Sequence, residues 1–183
     1  MTDREPQSAE PMVTGTATPT SWATTQGRLR ELSATYWLAT VRPDGRPHVM
    51  PVLAVWVEGS LFFCAGEGTR KARNLVRNPR CVVTVEANPL DLVVEGRAAK
   101  VRHDDTLRRV AGAYASIYDW HVTVRDGAFN YAAGATVAGP PPYDVYEVTP
   151  ATAFGFGTDG TLTPTRWRFG EQHHQGQAGR LSM

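Results

Sequence analysis

Turn-forming residues divide the middle of this chain into short apolar runs, each of a length suited to a β-strand. The run "TYWLATVR" (residues 35–42) ends at the turn Pro43-Asp44-Gly45. The run "RPHVMPVLAVWV" (46–57) is joined to "SLFFCA" (60–65) by Glu58-Gly59, a pair suited to a two-residue hairpin loop. Runs joined this tightly are predicted to pair as antiparallel strands.

The remaining elements continue this pattern. Further strands are predicted at 80–87, 90–101, 143–157 and 162–169, and helices at 22–32, after Thr69, and at 104–120. The third helix is suited to capping by Asp104 or Asp105, and apolar residues recur in it at helical spacing. Hairpins in succession, with one short helix between strands, indicate a small antiparallel barrel, mainly β with a few flanking helices. The pattern by itself fits a β-sandwich as well.

Pro51 lies inside the second predicted strand, although proline has no N–H group to donate to a sheet. Proline is therefore confined to edges, bulges and openings of a sheet. We expect one of these three features at Pro51.

The two ends of the chain differ in composition from this middle part. Residues 1–20 are rich in Pro, Thr and Ser and are predicted to be disordered. Residues 170–183 are predicted to form a flexible tail, and its adjacent His173 and His174 cannot face the same way on a regular element, so no metal site is predicted. The folded domain is therefore expected to span residues 21–169.

Composition favours a single globular domain. Of the 183 residues, 42% are hydrophobic and 20% charged. The formal net charge of +1 provides no overall field to attract nucleic acid or a membrane, so any basic site must be local. We interpret Cys64 and Cys81 as buried free thiols in a reducing compartment. No signal-peptide or membrane-spanning pattern is visible, and a cytoplasmic protein is predicted.

The segment "GEGTRKARNLVRNP" (66–79) places three basic residues, Arg70, Lys71 and Arg73, in the first turn of a predicted helix. Cations are disfavoured there by the helix dipole, and a bound anion would offset that penalty. Thr69 adds a hydroxyl group, and the glycines let the backbone approach a ligand closely. The segment therefore predicts a phosphate site. The alternative is a solvated surface helix with Leu75 and Val76 turned inward.

Three stretches also resemble a known family. "YWLATVRPDGRPHVMPV", "LFFCAGEGTRKARNLVRNPRCVVTV" and "VVEGRAAKV" are similar to the pyridoxamine 5'-phosphate oxidase-related split β-barrel flavoproteins. The closer resemblance is to the actinobacterial branch of flavin and deazaflavin oxidoreductases. It covers residues 32–103 well and continues more loosely to Phe169.

The resemblance implies a six-stranded antiparallel split β-barrel that forms a homodimer, with a cofactor cleft at each end of the subunit interface. The cofactor ring would lie along Met50, Pro51, Val52 and Leu53, next to Phe63 and Cys64. The phosphate would be held by Thr69, Arg70 and Lys71, with Arg73 and Asn74 just behind. Trp167 and Arg168, in "RWRF", would complete the cleft, from the same subunit or from its partner.

The sequence also departs from the family pattern. Pyridoxamine phosphate oxidases carry an Arg and a Lys on the second strand, where this chain has Met50 and Val55. We therefore do not expect pyridoxamine phosphate as the substrate. The apolar strand and "KARNL" favour the deazaflavin coenzyme F420, with FMN as the alternative. The resemblance thus implies an oxidoreductase that transfers hydride to a small electron-poor organic substrate.

Residues that could act beside the cofactor have competing interpretations. His48, on the strand that would border the ring, is the candidate proton donor, or else it faces solvent or the dimer seam. Tyr114, Tyr118, Trp120 and Tyr131 either wall a substrate pocket or belong to the core. We interpret Trp37 and Trp56 as packing residues.

Two rival functions use the same features. A non-catalytic protein that binds or carries F420, a flavin or haem would have the same cofactor site. A nucleic-acid binder would use the Arg/Lys cluster, but such proteins add a wider basic groove with stacking aromatic residues, which this sequence lacks.

Overall fold

A computed structural model describes residues 4–133 and 141–170, in which three helices and ten strands are formed. In chain order they are β1 (Ser8–Pro11), α1 (Trp22–Glu31), β2 (Thr35–Val41), β3 (Pro47–Val57), β4 (Ser60–Ala65), α2 (Arg70–Arg77), β5 (Arg80–Glu86), β6 (Leu90–Lys100), α3 (Asp104–Tyr118), β7 (His121–Arg125), β8 (Ala128–Ala133), β9 (Asp144–Gly157) and β10 (Thr165–Arg168).

Six of the strands close into an antiparallel barrel in the order β9-β4-β3-β2-β5-β6, with β6 pairing back to β9. Tight turns set these pairings. Glu58 and Gly59, between β3 and β4, have φ angles of 47° and 85°, the geometry of the predicted two-residue hairpin. The six-stranded split barrel with a few flanking helices is therefore confirmed, and the sandwich alternative is wrong.

The barrel is open beside the first half of β3. Residues 47–53 of this strand pair with β2, whereas pairing with β4 begins only at Ala54, which lies opposite Phe63. Pro51 lies in the part with a single neighbour, as the missing N–H group requires. The predicted opening of the sheet at Pro51 is confirmed.

The barrel interior is filled with large apolar side chains from every barrel strand and from α1, α2 and β10. Trp167 of β10 packs against Trp22 of α1, with ring centroids 5.2 Å apart, and Trp22 also contacts Trp56 and Phe169. This aromatic group closes one end of the barrel. Helix α2 contributes Ala72 and Leu75 to the same cluster.

A second core lies outside the barrel, where α3 and the β7–β8 hairpin cover β3 and β4. Tyr114 of α3 is its fully buried centre, and its hydroxyl donates to the carbonyl oxygens of Leu53 (2.9 Å) and Phe62 (3.2 Å). Trp120 is also buried. Tyr114 and Trp120 are therefore core residues, and the side chain of Tyr131 lies outside the described part of the chain.

The N-terminal segment differs from the prediction, because residues 8–11 form β1 instead of being disordered. β1 pairs with β10, and Arg166 of β10 forms an ion pair with Glu10. The carbonyl oxygen of Arg4 accepts hydrogen bonds from the side chains of Trp22 (3.2 Å) and Gln26 (3.1 Å). Composition could not reveal this order, since it depends on backbone bonds to a distant strand.

Three smaller predictions were also wrong. The N-cap of α3 is His103, without a side-chain bond, so neither Asp104 nor Asp105 caps the helix. Strands β7 and β8 were not predicted. Val76 is 83% exposed and not turned inward, whereas Leu75 is buried as expected. The predicted tail from 171 to 183, with His173 and His174, lies outside the described residues.

Candidate functional site

The candidate site begins at the N-terminus of α2. Thr69 is the N-cap, as predicted, and its hydroxyl oxygen accepts a hydrogen bond of 3.3 Å from the N–H group of Ala72. The N–H groups of Arg70 and Lys71 have no partner among the described residues. Because α2 contains no acid in its first turn, these donors and the helix dipole leave a positive pole without a counter-charge.

Four basic side chains meet near this pole. His48 of β3 lies within electrostatic range of Arg42, Arg70 and Lys71. None of these three cations forms an ion pair within residues 4–133 and 141–170. The one acid in the adjacent turn, Asp44, is bound to Arg46 at 2.7 Å. An anion is the partner that this arrangement lacks.

Arg42 was not singled out from the sequence, although it belongs to this cluster. Thr40 lies opposite His48, and Arg42 follows two residues later at the β2–β3 turn. The guanidinium Nε of Arg42 is buried and has no hydrogen-bond partner among the described residues. The signal that could have revealed it is the tight Pro43-Asp44-Gly45 turn, which brings the end of β2 beside the start of β3.

Partial burial perturbs two of the clustered groups. Burial lowers the pKa of Lys71, because the charged ammonium loses hydration. Burial lowers the pKa of His48 as well, and the charges of Arg42, Arg70 and Lys71 lower it further. The pKa shift of His48 therefore reflects the neighbouring positive charges as well as burial, whereas that of Lys71 reflects burial alone.

Asn74 holds α2 in place. Its side-chain amide donates a hydrogen bond of 2.9 Å to the hydroxyl of Thr40 on β2, and both side chains are buried. The Thr40 hydroxyl in turn lies 3.3 Å from the carbonyl oxygen of His48. Asn74 is therefore a positioning residue in this structure, and Arg73 is exposed on the outer side of the helix.

The predicted residues of β3 divide between two faces. His48, Met50 and Val52 alternate with their neighbours and lie on the interior face of the strand, where Val52 is buried and Met50 is 41% exposed. Pro51 is exposed on the outer face, and Leu53 packs toward α3. Along this stretch, alternate backbone groups point away from β2 into the opening of the barrel.

Phe63 and Cys64 do not offer their side chains to this site. Phe63 is fully buried in the barrel, stacked on Tyr146 with a centroid distance of 5.2 Å. Cys64 packs against the outer core, where burial raises the pKa of its thiol to about 12. The side chains of Phe63 and Cys64 therefore do not border the candidate site, in contrast to the expectation from the sequence.

Trp167 is also not a site residue of its own subunit, contrary to the sequence interpretation. It is completely buried, and its indole N–H donates to the carbonyl oxygen of Thr20 at 3.1 Å. Arg168 is exposed but lies opposite Thr152 on β9, whereas Cys64 lies opposite Val145. Thr152 lies seven positions after Val145 along β9, which corresponds to roughly 23 Å of extended chain. Arg168 is therefore remote from the start of α2 in the same subunit.

The outer face of the sheet carries an apolar row of neighbouring residues. Pro51, Trp37, Thr84, Val93 and Phe154 lie opposite one another across β3, β2, β5, β6 and β9. Trp37 is 50% exposed, so its interpretation as an internal packing residue is wrong, whereas Trp56 is buried as expected. Beside this row is a shallow cavity of about 720 Å³ that includes Glu86 and Asp91.

Among the described residues, no group of three or more His, Cys, Asp or Glu side chains is arranged to hold a metal ion. None of the helices in this part of the chain is long and apolar enough to span a membrane.

Comparison with protein families gives an independent assignment. The model of the family described as pyridoxamine 5'-phosphate oxidase matches residues 27–156, which include the barrel strands and α2. The chain belongs to this family. No curated protein matches the sequence.

Solved structures with this pyridoxamine 5'-phosphate oxidase fold are similar at low identity. The conserved hypothetical protein Rv2991 from Mycobacterium tuberculosis has 19% identity and a TM-score of 0.57, covering 76% of this chain and 86% of that one. An F420 reductase has 21% identity and a TM-score of 0.50, with 74% and 98% covered. A pyridoxamine 5'-phosphate oxidase-related, FMN-binding protein from Nostoc punctiforme has 18% identity and a TM-score of 0.50, with 79% and 86% covered. At these identities the similarity extends to the fold.

Proposed function

We propose that this protein is an oxidoreductase that binds coenzyme F420, with FMN as the alternative, and acts on a small electron-poor organic molecule. The observation that carries the proposal is the cationic cluster of Arg42, His48, Arg70 and Lys71 at the start of α2, which has no acidic partner among the described residues. The family has oxidoreductase members, and similar folds include an F420 reductase and an FMN-binding protein.

The residues present fit the phosphate of such a cofactor. Lys71 and Arg70 supply cationic donors, and the two unpartnered backbone N–H groups of α2 add fixed dipoles. The hydroxyl hydrogen of Thr69 remains available, since its oxygen serves as the acceptor in the cap. The buried Nε of Arg42 offers one more donor close to the cluster. Arg73, on the exposed side of α2, would act through long-range charge.

The open half of β3 fits a flat ring. Backbone groups of residues 48–52 that point away from β2 are free to bond its edge, and Met50 and Pro51 offer apolar surface. When bound, a flavin or deazaflavin ring would supply the redox chemistry, and the protein would orient it and exclude water. His48 stands at the phosphate end of this stretch, so we assign it to ligand binding in preference to proton donation to the substrate.

The choice of F420 over FMN rests on the apolar character of β3. Met50 and Val55 occupy the positions where pyridoxamine phosphate oxidases have cationic residues, and Val55 is fully buried in the outer core. β3 therefore suits a cofactor that binds mainly through its phosphate better than one that requires cationic side chains along this strand. The same reasoning supports membership in the actinobacterial deazaflavin branch and disfavours pyridoxamine phosphate as substrate.

We also infer that the protein is a homodimer. The outer row from Pro51 to Phe154, in which Thr84 is the one polar member, presents apolar side chains on the sheet, and Val49 beside it is 51% exposed. A second copy covering this face would bring its own Arg168 toward the cleft, which one subunit cannot do alone. The free thiols Cys64 and Cys81 suit a reducing, cytoplasmic location.

A non-catalytic carrier of F420, a flavin or haem is the second candidate. It is supported by the fact that the features described at the site, clustered cations and free backbone N–H groups, are features that bind an anion. Turnover distinguishes the two functions.

The decisive experiment is a parallel calorimetric titration of the purified protein with F420 and with FMN. We expect tighter binding of F420, at one site per chain. The loaded and reduced protein is then offered quinones, enones and nitroaromatic compounds as acceptors. Repeated turnover supports the oxidoreductase, whereas single-turnover oxidation across the whole panel favours the carrier. Failure of both cofactors to bind would refute the proposal.

A further inference from the structure

His48 is the one member of the cationic cluster whose charge can change near neutral pH. It lies on the interior face of β3, beside the end of β2 and the start of α2. The charged groups within electrostatic range of it are Arg42, which follows β2, and Arg70 and Lys71 of α2. Of the nearby acids, Asp44 is bound to Arg46 and also interacts electrostatically with Arg42, and Glu67 is exposed in the turn before α2, so Arg70 and Lys71 form no ion pair among the described residues.

The two ring nitrogens of His48 differ in their surroundings. Its Nδ1 atom is buried and has no hydrogen-bond partner among the described residues. A buried N–H group without an acceptor is costly, so the neutral tautomer with its proton on Nε2 is favoured while the site is free. Three neighbouring cations oppose a second proton as well. An incoming anion reverses both effects, because it supplies acceptor oxygens and negative charge.

We propose that His48 is a proton-linked anion-binding residue that is neutral in the free protein and takes up one proton when a phosphoryl group enters the cluster. This inference rests on the proposed phosphate site and adds a coupling between ligand affinity and pH. The burial of His48 and its three cationic neighbours, which lower its pKa in the free protein, agree with it. A cofactor phosphate would then bind more tightly as the pH falls.

The coupling has a definite sign. A group with a lower pKa in the free protein than in the complex binds protons on complex formation, so affinity rises as the pH decreases through the two pKa values. Each unit of difference corresponds to a tenfold change in the dissociation constant. Lys71, whose pKa is also lowered, would give the same sign at higher pH, and the experiment must separate the two residues.

Sulfate is the suitable probe, because its charge is constant between pH 5 and pH 9, whereas phosphate itself gains a proton in this range. Sulfate affinity is measured by calorimetry at pH 5.5, 7 and 8.5 on the wild type, on His48→Gln and on Lys71→Arg. For the wild type we expect about tenfold tighter binding at pH 5.5 than at pH 8.5. His48→Gln should lose this dependence, so that its affinity at pH 5.5 and at pH 8.5 is the same within about twofold.

Histidine NMR signals test the wild type directly. The His48 resonance should titrate below the ordinary range without sulfate and at least about one pH unit higher with saturating sulfate. His121, which is exposed and pairs with Asp119, should not respond and serves as the internal control. A His48 titration that sulfate leaves unchanged, or a pH dependence that His48→Gln retains, would overturn the coupling alone. If the wild type does not bind sulfate, or if Lys71→Ala binds it as tightly as the wild type does, both the phosphate site and the coupling would be overturned.

Discussion

The side-chain amide of Asn74 on α2 donates a buried hydrogen bond of 2.9 Å to the hydroxyl of Thr40 on β2. This bond ties the helix that carries Arg70 and Lys71 to the strand that ends in Arg42. The position of the cationic cluster thus depends on this buried polar contact as well as on the apolar packing of Ala72 and Leu75. Mutation of Asn74 or Thr40 therefore tests the site without a change to any charged residue.

Breaking this bond is expected to destabilise the protein. Asn74→Ala and Thr40→Val each remove this bond, at a cost of about 1–3 kcal/mol in the free energy of unfolding. Thr40→Val leaves the amide nitrogen of Asn74 buried without a partner, whereas in Asn74→Ala the Thr40 hydroxyl keeps its bond to the carbonyl oxygen of His48. Urea denaturation measures the cost, and Arg77→Ala, at the exposed end of the same helix, is the control. The double variant should cost less than the sum of the two single changes. Strictly additive costs would show that the two side chains are not coupled.

Removing the charge of Lys71 should weaken cofactor binding. A hydrogen bond to a charged group contributes about 1.5–3 kcal/mol, so Lys71→Ala is expected to raise the dissociation constant by one to two orders of magnitude, roughly. Calorimetric titration with F420 or FMN gives the value. Arg77→Ala removes one positive charge from the opposite end of α2 and should change the affinity little. Equal losses in the two variants would mean that general charge, and not a local contact, holds the ligand.

The strand bounds and the basic helix start were predictable because they depend on neighbouring residues. Pro43-Asp44-Gly45 and Glu58-Gly59 determine where β2, β3 and β4 end, and Thr69 determines where α2 begins. Pro51 located the opening of the barrel for the same reason, since a missing N–H group is a property of one residue. Local chemistry was thus sufficient for the bounds of β2, β3 and β4 and for the basic start of α2.

The missing parts depend on contacts between distant residues. Arg42 joins the cluster only through the register of β2 and β3, and Trp167 is buried because Trp22 of α1 covers it. β1 is ordered through its pairing with β10, which its Pro- and Ser-containing sequence does not suggest. None of these relationships is expressed in the spacing of residues along the chain.

Gly96 of β6, which lies opposite a bulge in β9, should not tolerate a side chain. The pairing of β6 with β9 shifts register between Glu95 and Gly96, and a Cβ atom on Gly96 would lie 2.3 Å from the carbonyl oxygen of Thr149. Gly96→Ala is therefore expected to cost about 1–3 kcal/mol of stability, as overpacking does. Gly112→Ala in α3 meets no atom within 4 Å and should stabilise by about 0.5–1 kcal/mol. Thermal and urea unfolding compare the two, and a neutral Gly96→Ala would contradict the close approach.

The outer apolar row should govern dimer formation. Trp37 is half exposed within this row, between Pro51 and Thr84, and a Trp that becomes buried in an interface commonly contributes about 2 kcal/mol or more. Trp37→Glu is expected to weaken dimerisation at least thirtyfold, roughly, in sedimentation equilibrium. Val13→Glu makes the same chemical change at an exposed apolar residue outside the strands of this face and should have little effect. A wild type that remains monomeric at all concentrations would refute the interface.

Both cysteines should be unreactive in the folded protein. Burial raises the pKa of the Cys64 and Cys81 thiols to about 12, so at pH 8 roughly one molecule in ten thousand carries a thiolate. A thiol reagent is expected to label neither residue until denaturant is added. Since the unfolded chain releases these protons at lower pH than the native protein does, stability should fall as the pH rises from 9 toward 12. Rapid labelling of Cys64 in native conditions would show that the outer core opens.

The pairing of β1 with β10 has a kinetic consequence. It brings Glu10 and Arg166 together although they are 156 positions apart, so the contact closes a loop that contains the whole barrel. Loop closure of this length is slow while the intervening chain is unstructured and becomes easy once the barrel has assembled. We therefore expect docking of β1 to be among the last events of folding. In deuterated water the amide hydrogens of residues 8–10 should exchange before those of the barrel strands.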